Sequence, residues 1–195
     1  GEDRFVERGA ELIRLSGQLA QQVKQASGET VLVAAGIPPV FGSYNPDEFV
    51  YDDAVAMLEV FKQNLLPYTD IILAETQSSI AEVTAIKSVF GGCGQPLWIS
   101  MTLEDELLTG KESRLRSGEL LRDALESIDF QCVDAVLFNC SQPEVMAEAI
   151  RVAVEILPSG KDIGVYANGF RPITNTIDAN DGYSALREDL TPQDY

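Results

Sequence analysis

The chain contains no histidine among its 195 residues, and this absence removes several kinds of active site. Ser-His-Asp hydrolases, Cys-His proteases and HExxH zinc enzymes all need an imidazole. Cysteine is also scarce, because the three present are widely separated, which argues against a secreted domain stapled by disulfides. We therefore expect a cytoplasmic protein, in which any metal is held by sulfur or oxygen.

Basic residues are few as well. The chain has 14 of them against 31 acidic residues, which gives a formal charge of −17. This charge repels phosphate backbones and anionic lipid surfaces, so we expect neither nucleic acid nor a membrane as a partner. No uninterrupted apolar run reaches membrane length. A solvated acidic surface explains the charge more simply than a specific cationic ligand does.

Two glycine-rich loops are also missing. Neither GxGxxG nor GxxxxGK[ST] occurs, although these are the commonest nucleotide-binding signatures of open α/β sheets. What the chain does have is 45% hydrophobic residues, enough to build one substantial core. We interpret residues 1–195 as a single domain.

Short apolar segments alternate with helical patterns along the chain, which predicts an α/β fold with a parallel sheet. The spacing fits both a barrel and an open doubly wound sheet, and the missing nucleotide-binding loops favour a (β/α)8 TIM barrel. The predicted helices cover residues 5–26, 52–66, 78–90, 117–128 and 143–157. The predicted strands cover residues 31–35, 70–75, 96–100, 134–140 and 162–168.

The carboxyl ends of these strands collect a polar set, and in a barrel this is where the active site lies. The set contains no lysine, which argues against a Schiff-base aldolase and favours a thiolate or a thiolate-bound metal. Its members are Gly36, Glu75, Thr76, Ser100, Thr102, Asn139, Cys140, Tyr166 and Asn168.

Cys140 is the most informative of these residues, because a cysteine kept for packing more often lies inside a strand or on a helix face. Glu75 has two interpretations, a ligand-binding carboxylate or a charged cap for the following helix. Asn139 and Asn168 either bind a ligand or satisfy loop backbone groups.

Three other features are assigned structural roles. Cys93 and Cys132 both precede predicted strands, so they fall at the opposite edge of the sheet. Cys93 is interpreted as part of a turn, and Cys132 as a small buried residue. The acidic run 104–106 is interpreted as a solvated loop. It lies at the carboxyl ends of the strands, which form the mouth of the barrel, and helps to form the rim of that mouth.

Four stretches resemble one known family. They are Asp-Ile-Ile-Leu-Ala-Glu-Thr at 70–76 followed by Ala81-Glu82, Pro-Leu-Trp-Ile-Ser-Met-Thr at 96–102, Val-Leu-Phe-Asn-Cys at 136–140 with Pro143, and Val-Tyr-Ala-Asn at 165–168. Their order and spacing are similar to those of the homocysteine S-methyltransferase family. Its relatives include betaine–homocysteine methyltransferase and the homocysteine half of cobalamin-dependent methionine synthase.

The resemblance implies a (β/α)8 barrel in which zinc, held by three cysteine thiolates, binds the sulfur of homocysteine as a thiolate. Cys140 matches the first of these zinc ligands, and Glu75 matches the carboxylate that holds the homocysteine ammonium. Asn139 and Asn168 match polar positions around the same pocket. The implied product is methionine, and the implied donor is a sulfonium such as S-methylmethionine or S-adenosylmethionine, for which Tyr44 and residues 104–106 are the candidate contacts.

The ends of the chain depart from the family pattern. The opening Asp-Gly-Gly strand and the closing Gly-Gly-Cys-Cys pair, which supplies two zinc ligands, have no counterpart in this sequence. We therefore expect strands three to seven of a barrel that is incomplete at both ends. Two alternatives stay open: a barrel remnant or amino-acid-binding protein without the metal site, and a metal-free enzyme that acts on a small amino or hydroxy acid through Glu75.

Overall fold

Strands and helices alternate through the computed structural model, which describes residues 5–105, 112–172 and 185–191. The strands are β1 (Ala34–Ile37), β2 (Ile71–Gln77), β3 (Leu97–Met101), β4 (Ala135–Asn139) and β5 (Asp162–Tyr166). The α-helices are α1 (Ala10–Ser27), α2 (Tyr51–Leu65), α3 (Ile80–Phe90), α4 (Leu121–Glu126) and α5 (Pro143–Ile156). A π-helical turn, Phe5–Gly9, leads into α1, and short 3-10 turns flank α2 at Pro46–Glu48 and Leu66–Tyr68.

All neighbouring strands are parallel, and the sheet order β1-β2-β3-β4-β5 follows the chain. The predicted α/β class with a parallel sheet is confirmed. A sequential order is compatible with part of a (β/α) barrel, whereas a doubly wound sheet reverses its order at a switch point. Closure into an eight-stranded barrel, and incompleteness at both ends, stay predictions.

Several element boundaries differ from the predicted ones. The fifth strand, for example, ends at Tyr166 instead of residue 168, and two other differences have a visible cause. The first strand was expected at 31–35, but pairing begins only at Ala34, opposite Ile71. Leu32 is 66% exposed, and the Asp70 carboxylate accepts a hydrogen bond from the Val33 N–H at 2.8 Å, so the apolar run 31–33 forms the entry to the strand. The helix expected at 117–128 is shorter because Arg114 and Leu120 form an antiparallel bridge ahead of it.

The two faces of the sheet are covered differently. Alternate residues along each strand point to opposite faces. On one face, strand residues that include Ile72, Ile99 and Phe138 are fully buried. They form a core together with helix residues such as Val83 and Ile86. The other face carries half-buried or polar residues: Gly36, Leu73, Glu75, Trp98, Ser100, Leu137, Asn139 and Tyr166. Glu75 and Asn139 therefore lie on the face that the helices do not cover, whereas Cys140 and Asn168 follow the ends of β4 and β5.

Among the residues that the structure describes, none of the helices combines the length and the apolar character needed to cross a lipid bilayer.

Candidate functional site at the carboxyl ends of the strands

Side chains from neighbouring strands are connected at the carboxyl edge of the sheet. The Tyr166 hydroxyl donates to Glu75 Oε1 at 3.1 Å. The Ser100 hydroxyl, which lies near that of Tyr166, donates to Asn139 Oδ1 at 2.8 Å. Glu75, Ser100, Asn139 and Tyr166, which the sequence assigned to four strand ends, thus form two hydrogen-bonded pairs that lie side by side.

Asn139 is the centre of this group of side chains and is 1% exposed. Its Oδ1 accepts from the Thr76 N–H at 3.2 Å as well as from Ser100. Its Nδ2 donates to Thr76 Oγ1 at 2.8 Å and lies 3.1 Å from Cys140 Sγ. Because the Thr76 N–H can only donate, it fixes which end of the amide faces which partner. Both donors and both acceptor positions of the amide are therefore used within the protein.

Backbone strain is concentrated around Cys140. Among the residues described, the non-glycine residues with positive φ are Tyr44 at 62°, Thr76 at 60° and Cys140 at 50°. The Tyr44 hydroxyl lies 3.5 Å from the Cys140 carbonyl oxygen, and Thr76 Oγ1 lies 4.0 Å from Cys140 Sγ. Such conformations cost about 1–3 kcal/mol each and cluster at functional sites. A β-branched threonine in this region is especially unusual.

The Glu75 carboxylate is half-buried, and its two oxygens have different surroundings. Oε1 is occupied by the Tyr166 hydroxyl. Oε2 faces β1, where an ideal Cβ on Gly36 would lie 3.1 Å away. In the described part of the chain, no lysine or arginine forms an ion pair with Glu75. The carboxylate is thus oriented toward the mouth without a cation of its own.

Burial raises the pKa of the Tyr166 phenol well above its ordinary value, and the Glu75 carboxylate acts in the same direction. The nearby Ser100 hydroxyl opposes these effects. Tyr166 therefore stays protonated and serves as a hydrogen-bond donor to Glu75 at neutral pH.

A buried ion pair forms the rim beside Cys140. Arg116 Nη2 lies 2.9 Å from Asp105 Oδ2, and the two side chains are 9% and 3% exposed. The Arg116 guanidinium also lies 5.0 Å from the centre of the Tyr44 ring. Burial, followed by the neighbouring Cys140, raises the pKa of Tyr44 well above its ordinary value.

The interpretation of residues 104–106 as a solvated loop is therefore wrong for Asp105. Its carboxylate pairs with Arg116 and accepts the Gln142 N–H at 3.1 Å, which holds it inside the rim. Glu104 is exposed as expected, whereas Glu106 lies outside the residues described.

Asn168 connects two loops at the mouth. Its Oδ1 accepts from Gln142 Nε2 at 3.3 Å and from the Phe170 N–H at 3.1 Å. Its backbone N–H donates to the Ser141 carbonyl oxygen at 3.0 Å. Asn168 thus satisfies loop backbone groups, which was one of its two interpretations. Its contact with substrate stays a prediction.

The other two cysteines lie where the sequence placed them, before their strands. Cys93 Sγ bonds to the Val89 carbonyl oxygen in the turn after α3, and Cys132 precedes β4. Cys132 is half-buried rather than buried, since its sulfur faces the exposed turn at Asp129.

A zinc ion at the mouth would find one cysteine ligand, Cys140. The residues described include no group of three or more cysteine, aspartate or glutamate side chains that is able to hold a metal. Cys93 and Cys132 belong to the opposite edge of the sheet. The side chains present therefore fit one ligand of a thiolate-bound zinc and not a complete site.

The features that sequence reasoning missed are the left-handed conformations, the bonding of Asn139, and Arg116. Arg116 carries no local signal, but the sequence does place Tyr44 in a loop that follows a strand. Loops at the carboxyl ends of barrel strands line the mouth, and this rule was sufficient to identify Tyr44 as a candidate.

Comparison with curated proteins gives no match. A family model described as "Homocysteine S-methyltransferase" matches residues 2–195, nearly the whole chain. The matched region includes β2 to β5 and the site residues Glu75, Asn139, Cys140 and Asn168. The chain belongs to the homocysteine S-methyltransferase family.

Proposed function

We propose that this chain carries the homocysteine-binding face of a zinc-dependent enzyme that methylates the homocysteine thiol to give methionine. The observation that supports this most is the meeting of a carboxylate and a strained cysteine at one sheet edge. Glu75 and Cys140 are connected through Thr76, the next residue on β2, and Asn139, whose side chain contacts both Thr76 and Cys140. Homocysteine likewise carries an ammonium and a thiol on one short chain.

Glu75 is proposed to bind the ammonium group. A half-buried carboxylate without a cation partner is unfavourable, and a ligand ammonium supplies the missing charge. Charge-assisted hydrogen bonds of this kind contribute about 1.5–3 kcal/mol. The ammonium would meet Oε2, since Tyr166 already occupies Oε1.

Cys140 is proposed as one zinc ligand, and the other thiolates would have to come from outside residues 1–195, because Cys93 and Cys132 lie at the opposite edge of the sheet. Zinc, when bound, favours the thiolate form of a coordinated sulfur. In the overall reaction, a bond forms between the homocysteine sulfur and the methyl carbon while the sulfonium–methyl bond of the donor breaks. The donor leaves as a neutral thioether, and the thiol proton passes to solvent.

The donor class is proposed to be a small sulfonium, such as S-methylmethionine or S-adenosylmethionine. The exposed Glu104 carboxylate offers a negative group for the cation. Arg116 already occupies one face of the Tyr44 ring, so Tyr44 has only its other face for a donor.

A second candidate is an amino-acid-binding protein that lacks the metal. The observation that favours it is the single thiolate at the mouth in the part of the chain that is described. Zinc content separates the two candidates. One zinc per chain that is lost in Cys140→Ala and kept in the matched variant Cys93→Ala supports the methyltransferase. Homocysteine binding without zinc in the wild type supports the binding protein.

Ligand binding by isothermal titration calorimetry tests the proposed site directly. L-Homocysteine should bind the wild type, and Glu75→Gln should weaken it about tenfold or more, because a charge-assisted bond is lost. 4-Mercaptobutanoate, which lacks the amino group, should bind both proteins equally. Glu59→Gln, a control on α2, should behave as wild type. Equal homocysteine affinity in Glu75→Gln and the wild type would refute the assignment.

A further inference from the structure

We infer that Tyr166 and Gly36 are positioning residues that together determine where the Glu75 carboxylate meets the substrate ammonium. The inference rests on the proposed function, because it concerns the same carboxylate. It adds two residues, neither of which needs to touch the substrate. By positioning Glu75, these residues would make the site select ligands that carry an amino group.

Tyr166 acts on Oε1. It is the last residue of β5 and pairs in register with Asn139 of β4. Its ring reaches back across the sheet so that the hydroxyl lies 3.1 Å from Glu75 Oε1 on β2. The hydroxyl also lies near that of Ser100 on β3, which donates its own proton to Asn139. A donor fixed in this way leaves Oε2 as the acceptor for a ligand.

Gly36 acts on Oε2. It lies inside β1, opposite Leu73, and its φ is not in the left-handed region, so the backbone itself does not require a glycine. Glycine is unfavourable within a strand and often marks a place where a ligand or another group approaches closely. The one heavy atom within 4 Å of an ideal Cβ here is Glu75 Oε2, at 3.1 Å. The Glu75 carboxylate thus occupies the space that a side chain at position 36 would fill.

Hydrogen bonds also tie the ammonium site to the sulfur site. They run from Thr76, the residue after Glu75 on β2, through Asn139 to Cys140 Sγ. A carboxylate held at one end and a sulfur held at the other define a fixed separation. This separation suits one length of amino thiol, so the positioning of Glu75 should also govern the choice between homocysteine and the shorter cysteine.

Tyr166→Phe tests the first half of the inference, because it removes the hydroxyl and keeps the ring. We expect the Kd for L-homocysteine to rise about fivefold or more, since a hydrogen bond to a charged group is lost. The Kd for 4-mercaptobutanoate should stay unchanged, and the preference for homocysteine over cysteine should shrink. Tyr68→Phe is the matched control, because the Tyr68 hydroxyl has a single partner, Gln18, on α1.

Gly36→Ala tests the second half, because the added methyl group displaces Oε2. We expect a similar rise in the Kd for L-homocysteine and again no change for 4-mercaptobutanoate. Each substitution should have no further effect on homocysteine affinity in a Glu75→Gln background, since residues that act through one carboxylate are not additive.

The outcomes separate the inference from the proposed function. If Glu75→Gln weakens homocysteine binding while Tyr166→Phe and Gly36→Ala do not, the inference is overturned and the proposed function stands. Equal loss of homocysteine and 4-mercaptobutanoate in Tyr166→Phe also overturns it, because the hydroxyl would then support the pocket as a whole. A wild type that binds no homocysteine refutes both.

Discussion

At the scale of single residues, the site is organised by a buried amide rather than by the groups expected to react. Asn139 holds two of the three left-handed residues, Thr76 and Cys140, through its side chain. These bonds offset the strain that the two residues carry. The cysteine that resembles a zinc ligand is thereby given a fixed position without any metal being needed to define it.

Asn139→Ala should therefore lower the free energy of unfolding by about 2–4 kcal/mol, because it leaves the Thr76 N–H and the Ser100 hydroxyl buried without their partner. Urea denaturation measures this difference. Asn64→Ala is the control, since the Asn64 amide has one bond, to the Val60 carbonyl oxygen of its own helix, and should cost less than about 1 kcal/mol. Equal losses in the two variants would contradict the central place given to Asn139.

Sequence reasoning located much of this site because strand ends can be read from apolar patterns. Glu75, Ser100, Asn139 and Tyr166 were all placed correctly at the carboxyl edge. Their mutual bonds depend on register between strands, which no local pattern contains. Asp105 was misjudged for the same reason, because its partner Arg116 lies on the far side of a segment with no periodic signal.

At the scale of elements, the amino end of α3 shows how the helix after β2 is fixed. Ser79 and Glu82 form a capping box, in which the Glu82 backbone N–H donates to Ser79 Oγ and the Glu82 carboxylate accepts the Ser79 N–H. The same carboxylate also accepts the Ser78 N–H. Glu119 adds a bond from the Ile80 N–H at 2.9 Å. The residues that follow Glu75 are thus anchored by carboxylates, although Glu75 itself is not the cap.

Glu82 should make stability depend on pH. Burial raises its pKa from 4.5 to about 7, with the two serine N–H groups opposing and Glu119 adding to the shift. The folded chain therefore holds a proton that the unfolded chain lacks between these values, so the free energy of unfolding falls as pH rises from about 4.5 to about 7. The loss approaches about 3 kcal/mol at most.

Chemical denaturation across this interval measures the effect. Carboxylates with lowered pKa values, such as Glu144, change charge below this pH interval. The chain has no histidine, so no imidazole adds to the pH dependence of stability here. Glu82→Gln should flatten the dependence, while the exposed control Glu48→Gln should keep it. A wild type whose stability rises with pH in this interval would show that Glu82 is ionised when folded.

At the scale of the whole molecule, charge is the dominant feature. With 31 acidic and 14 basic residues, the acidic side chains outnumber the basic ones by 17. Several arginines are concentrated in surface ion pairs, as Arg151 is with Glu148 and Glu155. Such exposed pairs contribute little, so repulsion among the remaining carboxylates opposes the folded state.

Added salt should therefore stabilise the protein. Raising NaCl from about 20 mM to about 300 mM shortens the screening length from about 20 Å to below 8 Å and should raise the melting temperature at pH 7.5. Differential scanning calorimetry measures this shift. Glucose at the same osmolality serves as the uncharged comparison. A melting temperature that falls with NaCl would mean that attractive ion pairs outweigh the net repulsion.

The most direct measurement of the central claim, that the carboxyl edge of the sheet binds homocysteine between Glu75 and Cys140, is an NMR titration of the isotope-labelled chain with L-homocysteine. The account predicts saturable shifts for the backbone amides of Gly36, Glu75, Thr76, Cys140 and Tyr166. It predicts no shifts at Cys93 or Cys132, at the opposite edge. Saturable shifts confined to other parts of the chain, or none at all, would contradict it.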